Sequence, residues 1–523
     1  MKAVAAGKPR IKPRAATVSG PPSVRASAHT AASSEDPFLQ SWTPLAGSAD
    51  ADLIPELGAI VPRTRDLVRN NGIAAGANQT YKDNIVGHVL RLSAKPDAHL
   101  LGWEVERASQ WSKNTEAQFR TWADSIECDA GRTMTLLGLT TQAMGAVFHN
   151  GEAVAIPVWQ PLPNRQWATR LMVVEADRLS TPPGREGQAN MRGGIEVDRF
   201  GAPIAYWIRR RHPGDRYELW AHGPDDWERI PAFTPWGRRR VIHLHDKERT
   251  GQSRGKPALT AIVKQFALAG RYGTAELESA VSSAMIAAVI ESGLPPESVA
   301  EVLGVNDGNI DSANTTWQQQ TAGLKSGGAF LSLPLGAKLN GFPPMRPNTA
   351  FEPFMSTVLK HMAAGLNMPY ELLLKDFTQT NYSSARAALL EAWRYFQGRR
   401  RWLIEYWLMP IYEMWMEEAV SAGRVEAEDF YTRRYAYLRS RWIFAGRGYV
   451  DPTKEAKGAQ IRLDTGISTL EAECAEQGLD YEEVLDQRQR ERQAMAERGL
   501  LVQAEASALA PAEAPAPPQE EAA

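Results

Sequence analysis

A chain of 523 residues, 43% hydrophobic and 23% charged, is too long for one ordinary hydrophobic core and reads as roughly two to four structural regions of a soluble globular protein. Its formal net charge of −2 argues against a protein whose main task is to grip nucleic acid tightly, since such proteins carry a basic excess that releases counterions from phosphate. A local basic patch, or a DNA path that must not stick, remains compatible with that balance. Cys128 and Cys474 are the only cysteines and have no CxxC spacing, which points to a reducing compartment and against a disulfide framework or cysteine zinc site. No apolar run reaches the ~18–20 residues of a membrane-spanning helix; Ala280 to Ile290 is too short and carries serines.

Lys2, Lys8, Arg10, Lys12, Arg14 and Arg25 precede the first acid, Glu35, among Pro, Ala, Ser and Gly. This reads as a flexible basic arm rather than a signal peptide. Residues 1 to about 50 and the Ala/Pro-rich tail from about 499 are expected to be disordered, because neither buries enough surface to offset its ordering entropy. From Ala51 to Asn150 the pattern is mainly helical. Phe119, Trp122 and Ile126 stand at helical spacing with Thr115 as the expected cap, and a helix from about Thr135 ends near Asn150-Gly151. "EAVAIPVW" then switches to strand period. "TRLMVVEADRL", "GGIEVDRFGAPIAYWIRRR", "RYELWA" and "RRRVIHLHD" continue as β, with Asp198–Gly201 as a tight turn between paired strands. The region to about 250 is thus α+β.

A helical stretch from Lys256 to Ile290 reads as one helix or as two joined near Gly270–Gly273, stopped by "ESGLPPES". Residues 295–348 are Gly/Pro-rich, with a strand at "GAFLSLP". Helical patterning resumes at Ala350. In "NYSSARAALLEAWRYFQGRRRW" Ser383 or Ser384 is expected to cap a helix burying Ala385, Leu389, Ala392, Trp393 and Phe396, with Arg386, Glu391 and Arg394 outward. Gly398 should weaken it, and Pro410 should kink or restart the helical pattern beyond it. Three short helices close the pattern. Asp451-Pro452 starts the first, and Ser468/Glu471 and Asp480/Glu483 have capping-box spacing.

Candidate chemistry is sparse. "GQSRGK" (Gly251–Lys256) fails as a phosphate loop, having three residues between its glycines and Pro257 where Ser or Thr should ligate magnesium, and reads as a structural turn. His243 and His245 share a strand face but lack a third ligand at diagnostic spacing. The serines of "YSSAR" lack a nucleophile-elbow context, and Glu417–Glu418 and Glu482–Glu483 fall on solvated helical faces. No cofactor and no metal are expected. Arg399, Arg400 and Arg401, placed near a helix C-terminus, complement its macrodipole and pair with acids on neighbouring segments or subunits, or contact nucleic-acid phosphate. Sixteen tryptophans, with arginine, suit a self-associating structural protein.

"YELLLKDFTQTNYSSARAALLEAWR" (Tyr370–Arg394) and Val450–Glu491 resemble the signature segments of the lambda-type portal proteins of tailed bacteriophages. "VVEADRLSTP", "GIEVDRFGAPIAYW" and "KERTGQSRGKPAL" stand in the matching order, and the resemblance spans about residues 55–495. It implies an α+β portal fold: wing at 51–250 and, with the tunnel-loop region, at 369–446; stem helices at 251–285 and 349–368; clip at 286–348; crown at 447–498. It also implies a structural, non-enzymatic ring, normally a dodecamer, at one capsid vertex, passing double-stranded DNA without sequence specificity during packaging and ejection and joining head to tail. The implied partners are the terminase large subunit, major capsid and scaffold proteins and head-completion or tail connectors, with no membrane. The implied location is the virion, and the host cytoplasm during assembly. Lys375, Thr378, Gln379, Thr380 and Asn381 would lie near the tunnel loop. A terminase-like packaging enzyme and an unrelated ring-forming connector are the alternatives; the missing P-loop and missing acidic cluster oppose the first.

Overall fold

The computed structural model describes residues 30–33, 36–215, 226–290, 329–332, 348–378, 380–448 and 451–500. Residues 1–29 of the expected disordered arm, the tail beyond residue 500, the "RYELWA" strand and most of the 286–348 region lie outside the described residues; the arm's expected end at about 50 is corrected, since Ala49 and Asp50 already belong to the first helix. Residues 1–48 form a unit separate from 49–523, and its described part holds a single 3₁₀ turn at Thr30–Ala32. Helices α1 (Ala49–Asn70) and α2 (Gly72–Ile85) open the larger unit. Strand β1 (Leu90–Ala94), the short α3 (Ala98–Leu101) and α4 (Val105–Ala123) follow. Helix α4 starts ten residues before Thr115, so the expected cap at Thr115 is wrong: that side chain is buried mid-helix, where the apolar face of α4 meets the core.

Thr135 caps α5 (Leu136–Asn150), and Gly151 ends it in the left-handed conformation, with φ 88°, that glycine adopts without strain. The chain turns directly into β2 (Glu152–Trp159). Strands β3 (Thr169–Val174) and β8 (Ile242–His245) flank β2 in one antiparallel sheet. A second sheet runs in the order β4 (Met191–Arg192), β5 (Ile195–Val197), β6 (Pro203–Arg209) and β7 (Trp227–Pro231). Asp198 accepts from the amides of Phe200 and Ala202 at 2.8 Å and closes the β5–β6 turn as expected. After Glu152, strand β2 is apolar, and from Ala153 to Ile156 both its faces are covered. Ala153 and Ala155 face the helical core, while Val154 and Ile156 face a second core shared with β5, β6 and β7. Pro157 lies beyond the end of the β8 pairing, where no partner needs its missing N–H.

Helix α6 (Val263–Met285) passes through Gly270 and Gly273 without a break, and "IAAVI" is not its continuation. Those β-branched and small residues form β9 (Ile286–Ile290), parallel to β10 (Ala329–Ser332). Helix α7 (Phe351–Gly365) returns along α6, with Tyr272 in ring contact with Phe351 and Phe354 at 5.5 and 5.3 Å. After α8 (Tyr370–Leu374) comes α9 (Tyr382–Leu403), capped by Asn381, which accepts from the Ser384 amide at 2.8 Å. The expected serine cap is thus displaced to Asn381, since asparagine caps as well as serine and both serines lie already inside the first turn.

Ala392 and Phe396 are buried and Arg386, Glu391 and Arg394 face outward, as the periodicity predicts. Gly398 does not interrupt the rod. The expected break at Pro410 takes the form of a π turn, Ile404–Leu408, leading into α10 (Met409–Ser421). The wider turn accommodates the missing proline N–H and the ring that would press on the preceding carbonyl.

Helix α11 (Phe430–Tyr437) and β11 (Ser440–Phe444) complete the body, β11 pairing antiparallel with the distant β1. The C-terminal helices are α12 (Pro452–Asp464), α13 (Leu470–Glu476) and α14 (Tyr481–Glu497). Asp451 and Asp480 cap as expected. Thr469, not Ser468, caps α13, and Glu483 bonds arginines of the body rather than closing a capping box. The helical core is dense in aromatics: Phe119 meets Trp415 edge-on at 5.0 Å and also contacts Trp122, Tyr412 and Trp442. Trp122, Trp167, Trp407 and Trp415 are fully buried. Much of the tryptophan content therefore serves this chain's own core, so tryptophan abundance by itself is no argument for self-association.

Candidate functional site

The expected tunnel-facing stretch leaves α8 through Lys375, whose φ of 58° puts it in the left-handed region and turns the chain away from the helix axis. Asp376 then accepts from the Thr378 amide at 3.0 Å and the Thr378 hydroxyl at 2.7 Å, a local turn that also holds its carboxyl below the usual range. Asn381 closes the loop as the cap of α9. Lys375, Thr378 and Asn381 are exposed and Thr380 half-buried; Gln379 lies outside the described residues. The result is a short polar loop, tied at both ends, with one cationic side chain, that of Lys375.

The three arginines divide. Arg399 donates to Asp246 at 2.5 Å and to the Tyr81 hydroxyl at 3.2 Å, and stacks over Trp402 at 4.2 Å. Arg400 donates to the carbonyls of Ile85, Asn84 and Ala445 and lies between Trp393 and Phe444. With no carboxylate beside it, burial pulls its pKa down to about 10, still far above neutrality. Both guanidinium groups are engaged within the chain, and Arg399 pairs with an acid of a neighbouring segment, as expected. Arg401 points outward, 83% exposed, paired with Glu405 one turn on at 3.0 Å. The macrodipole explanation for this trio fails, because the helical rod continues through the π turn to Ser421 and its negative end lies there.

"GQSRGK" is a structural clasp. Gln252 reaches the amides of Glu248 and Arg249 and the carbonyls of Asp246 and Arg254, while Ser253 bonds the Asp50 carboxylate through its amide and hydroxyl. Arg254 holds Glu152 through Nε at 2.8 Å and Nη2 at 2.5 Å and donates to the carbonyls of Leu179, Gly193 and Ala176. Gly255 donates to Glu152 at 3.0 Å and sits so close to Gly151 that a Cβ on it would lie 2.1 Å from the Gly151 oxygen. One buried ion pair thereby joins α5, both sheets and the start of α6. Desolvation opposes ionisation of Glu152, but Arg254 and His243 together hold its carboxyl well below the usual range. Sequence reasoning misses the clasp because its acid, Glu152, stands about a hundred residues away and only the fold joins them.

His243 bonds Glu152 at 2.8 Å, and its ring stacks on His245 at 4.1 Å. The two donor sets therefore do not converge as metal ligands. Glu175, Asp177 and His212 cluster closely enough to hold an ion, yet Arg65 already grips both oxygens of Asp177. Glu418, expected on a solvated face, is buried and accepts from the amides of Ala168 and Thr169 at 2.7 and 2.8 Å. It satisfies the start of β3, a role no local pattern signals. Cys128 is packed against its own loop, and burial pushes its thiol up to about 12, an inert side chain.

The model of the phage portal protein, lambda family, matches residues 35–400. The chain belongs to that family. Portal protein B of Escherichia phage lambda is 33% identical to this portal protein over 470 residues, covering 87% of each chain. The portal protein of Escherichia phage N15 is 33% identical over 469 residues at the same coverage, and a probable portal protein of Halomonas phage phiHAP-1 is 24% identical over 462 residues, 86% of this chain and 83% of that one. Among solved structures, a chain from the virion of a native gene transfer agent particle aligns at TM-score 0.37 and 12% identity, covering 79% of this chain and 91% of the other. As a portal protein the chain is a structural component of the capsid rather than an enzyme. Its α+β architecture fits that family.

Proposed function

We propose that this chain is the repeating subunit of a ring, normally of twelve copies, at one capsid vertex, through whose centre double-stranded DNA enters and leaves the head. The observation that carries the proposal is the 33% identity to lambda portal protein B across 87% of both chains. Near-zero net charge supports a conduit that DNA slides through rather than adheres to. A head-to-tail contact closing into a ring needs outward apolar surface. Helices α6 and α7 offer it at Leu268, Leu277, Val281 and Phe354, all exposed.

On this reading 51–250 with 369–446 form the wing, 251–285 and 349–368 the stem, 286–348 the clip and 447–498 the crown. The loop carrying Lys375, Thr378, Gln379, Thr380 and Asn381 faces the channel, and Arg401 alone of its trio remains for an outside partner. Terminase large subunit, capsid and scaffold proteins and tail connectors are the partners proposed, with assembly in the host cytoplasm before residence in the virion.

Light scattering followed by negative-stain imaging of the purified protein tests the ring. A particle of about twelve copies with a central hole is the expected result. A small, stable oligomer that hydrolyses nucleotide would overturn the reading in favour of a packaging enzyme. For the channel loop, Lys375→Glu should leave assembly and melting temperature unchanged while reducing DNA packaged per head; unaltered packaging removes Lys375 from the channel wall.

A further inference from the structure

The C-terminal helices sit on the body in an unusual way. Neither apolar core contains a described residue beyond Phe444, and α12 and α14 bury no residue at all. Where backbones touch they do so at glycines: a Cβ on Gly446 would lie 2.9 Å from Gln477 backbone atoms, and one on Gly478 would lie 2.9 Å from the Phe444 oxygen. Apart from Cys474, which α13 buries, the side-chain contact is made of charge. On the body, Arg91 and Arg120 both bond Glu483, the first at 2.6 Å. Lys95 and Arg441 share Glu471, each at 3.3 Å, and Lys113 meets Glu482 at 3.3 Å. Lys95 also lies over the Tyr481 ring at 5.2 Å, and Arg447 faces Glu455 at 3.5 Å. In every one of these ion pairs the carboxylate lies within helices α12–α14 and the cation precedes them, on the body or, for Arg447, on the segment leading into α12.

We infer that residues 452–497 are a releasable module, latched to the body by this one-sided set of ion pairs rather than by a shared core. The sorting by sign matters. Paired charges scattered in both senses would hold through local neighbours, whereas a cationic strip against an anionic helical face makes one extended contact that ionic strength weakens as a unit. Most of the side chains involved are a third to a half exposed, so counterions reach them. The screening length shrinks from roughly 10 Å at 0.1 M salt to about 3 Å at 1 M. The body keeps its apolar cores when the latch opens, so release leaves the rest of the fold in place. The inference rests on these contacts and not on the portal reading.

Hydrogen–deuterium exchange on the full-length protein tests it, comparing about 0.05 M with about 1 M sodium chloride. The module amides, 452–497, should exchange at least several-fold faster at high salt, while those of α5 in the body stay unchanged. The double variant Glu471→Gln/Glu483→Gln should show that faster module exchange already at low salt and lose the salt response. Salt-independent module protection in the unaltered protein would overturn the latch. So would salt-driven exposure of α5 together with the module, which would make the transition global unfolding. If the double variant misfolds, α5 reports it, and the salt comparison on the unaltered protein still decides.

Discussion

At the scale of single residues, burial decides which charges matter. Glu152 is 2% exposed at its side chain and holds Arg254. Removing one partner of such a pair leaves an uncompensated buried charge, costing about 3–5 kcal/mol. Glu152→Ala should therefore lower thermal stability markedly or abolish soluble expression, whereas Arg401→Ala, on the solvent-facing side of its helix, should shift it hardly at all; differential scanning fluorimetry separates the two.

Glu116 is the opposite case. Burial, with Asp480 adding to it against Lys95 and Arg120, pushes its carboxyl up to about 7; the buried Tyr412 also faces it. The folded state then holds a proton that the unfolded chain, titrating near about 4.3, has already lost. Stability is full below that lower value and falls as pH rises through about 7. Glu116→Gln keeps the acceptor for the Ala94 amide, at 2.7 Å in the native chain. It should flatten the pH dependence and gain on the order of 1–2 kcal/mol at about pH 8, partial exposure having reduced the full linkage value. Melting curves on the acid and alkaline sides of neutrality check this; parallel curves for the two proteins would sink it.

At the scale of elements, close backbone approaches fix the geometry. Gly151 ends α5 with positive φ while Gly255 passes within contact of its carbonyl, so the end of one element and the start of another share a site with no room for a side chain. Gly255→Ala should disrupt the clasp even though alanine is the mildest of substitutions, and loss of the cooperative thermal transition is the expected readout. The α9 rod shows the reverse: Gly398 has open space at its Cβ position. Alanine there should stabilise the helix by roughly 0.5–1 kcal/mol, measurable by denaturant midpoint. Local rules predict weakness at Gly398, but Arg399 and Arg400, anchored to Asp246 and to three backbone carbonyls, hold the next turn in place.

At the scale of the whole molecule, the two apolar clusters of the described residues have no member beyond Phe444, and among the last three helices only α13 buries an apolar residue, Cys474. Truncation after Gly448 should therefore yield a folded body whose α5 amides keep their protection, with a melting temperature close to that of the full chain when salt is high. A truncated chain that unfolds would show that the module contributes to the core after all. The proposed ring closure belongs to this scale too; the exposed apolar residues of α6 and α7 are its proposed surface, while Trp122, Trp167, Trp407 and Trp415 are spent inside the subunit.

What the sequence determined by itself was local and periodic. The start and end of α5, the switch to β2 at Glu152, the Asp198 turn, the inward face of α9 and the caps at Asp451 and Asp480 come from hydrogen-bonding side chains and apolar spacing within a few residues. Family membership was legible as well, because several segments keep their order over most of the chain. Tertiary structure alone decided the rest. It paired Arg254 with Glu152, seated Glu418 under β3, turned Arg399 and Arg400 inward, and set body cations against module carboxylates. These contacts join residues tens to hundreds of positions apart, and a charged side chain looks the same in sequence whether it meets water or a buried partner. Only the packing of elements tells which.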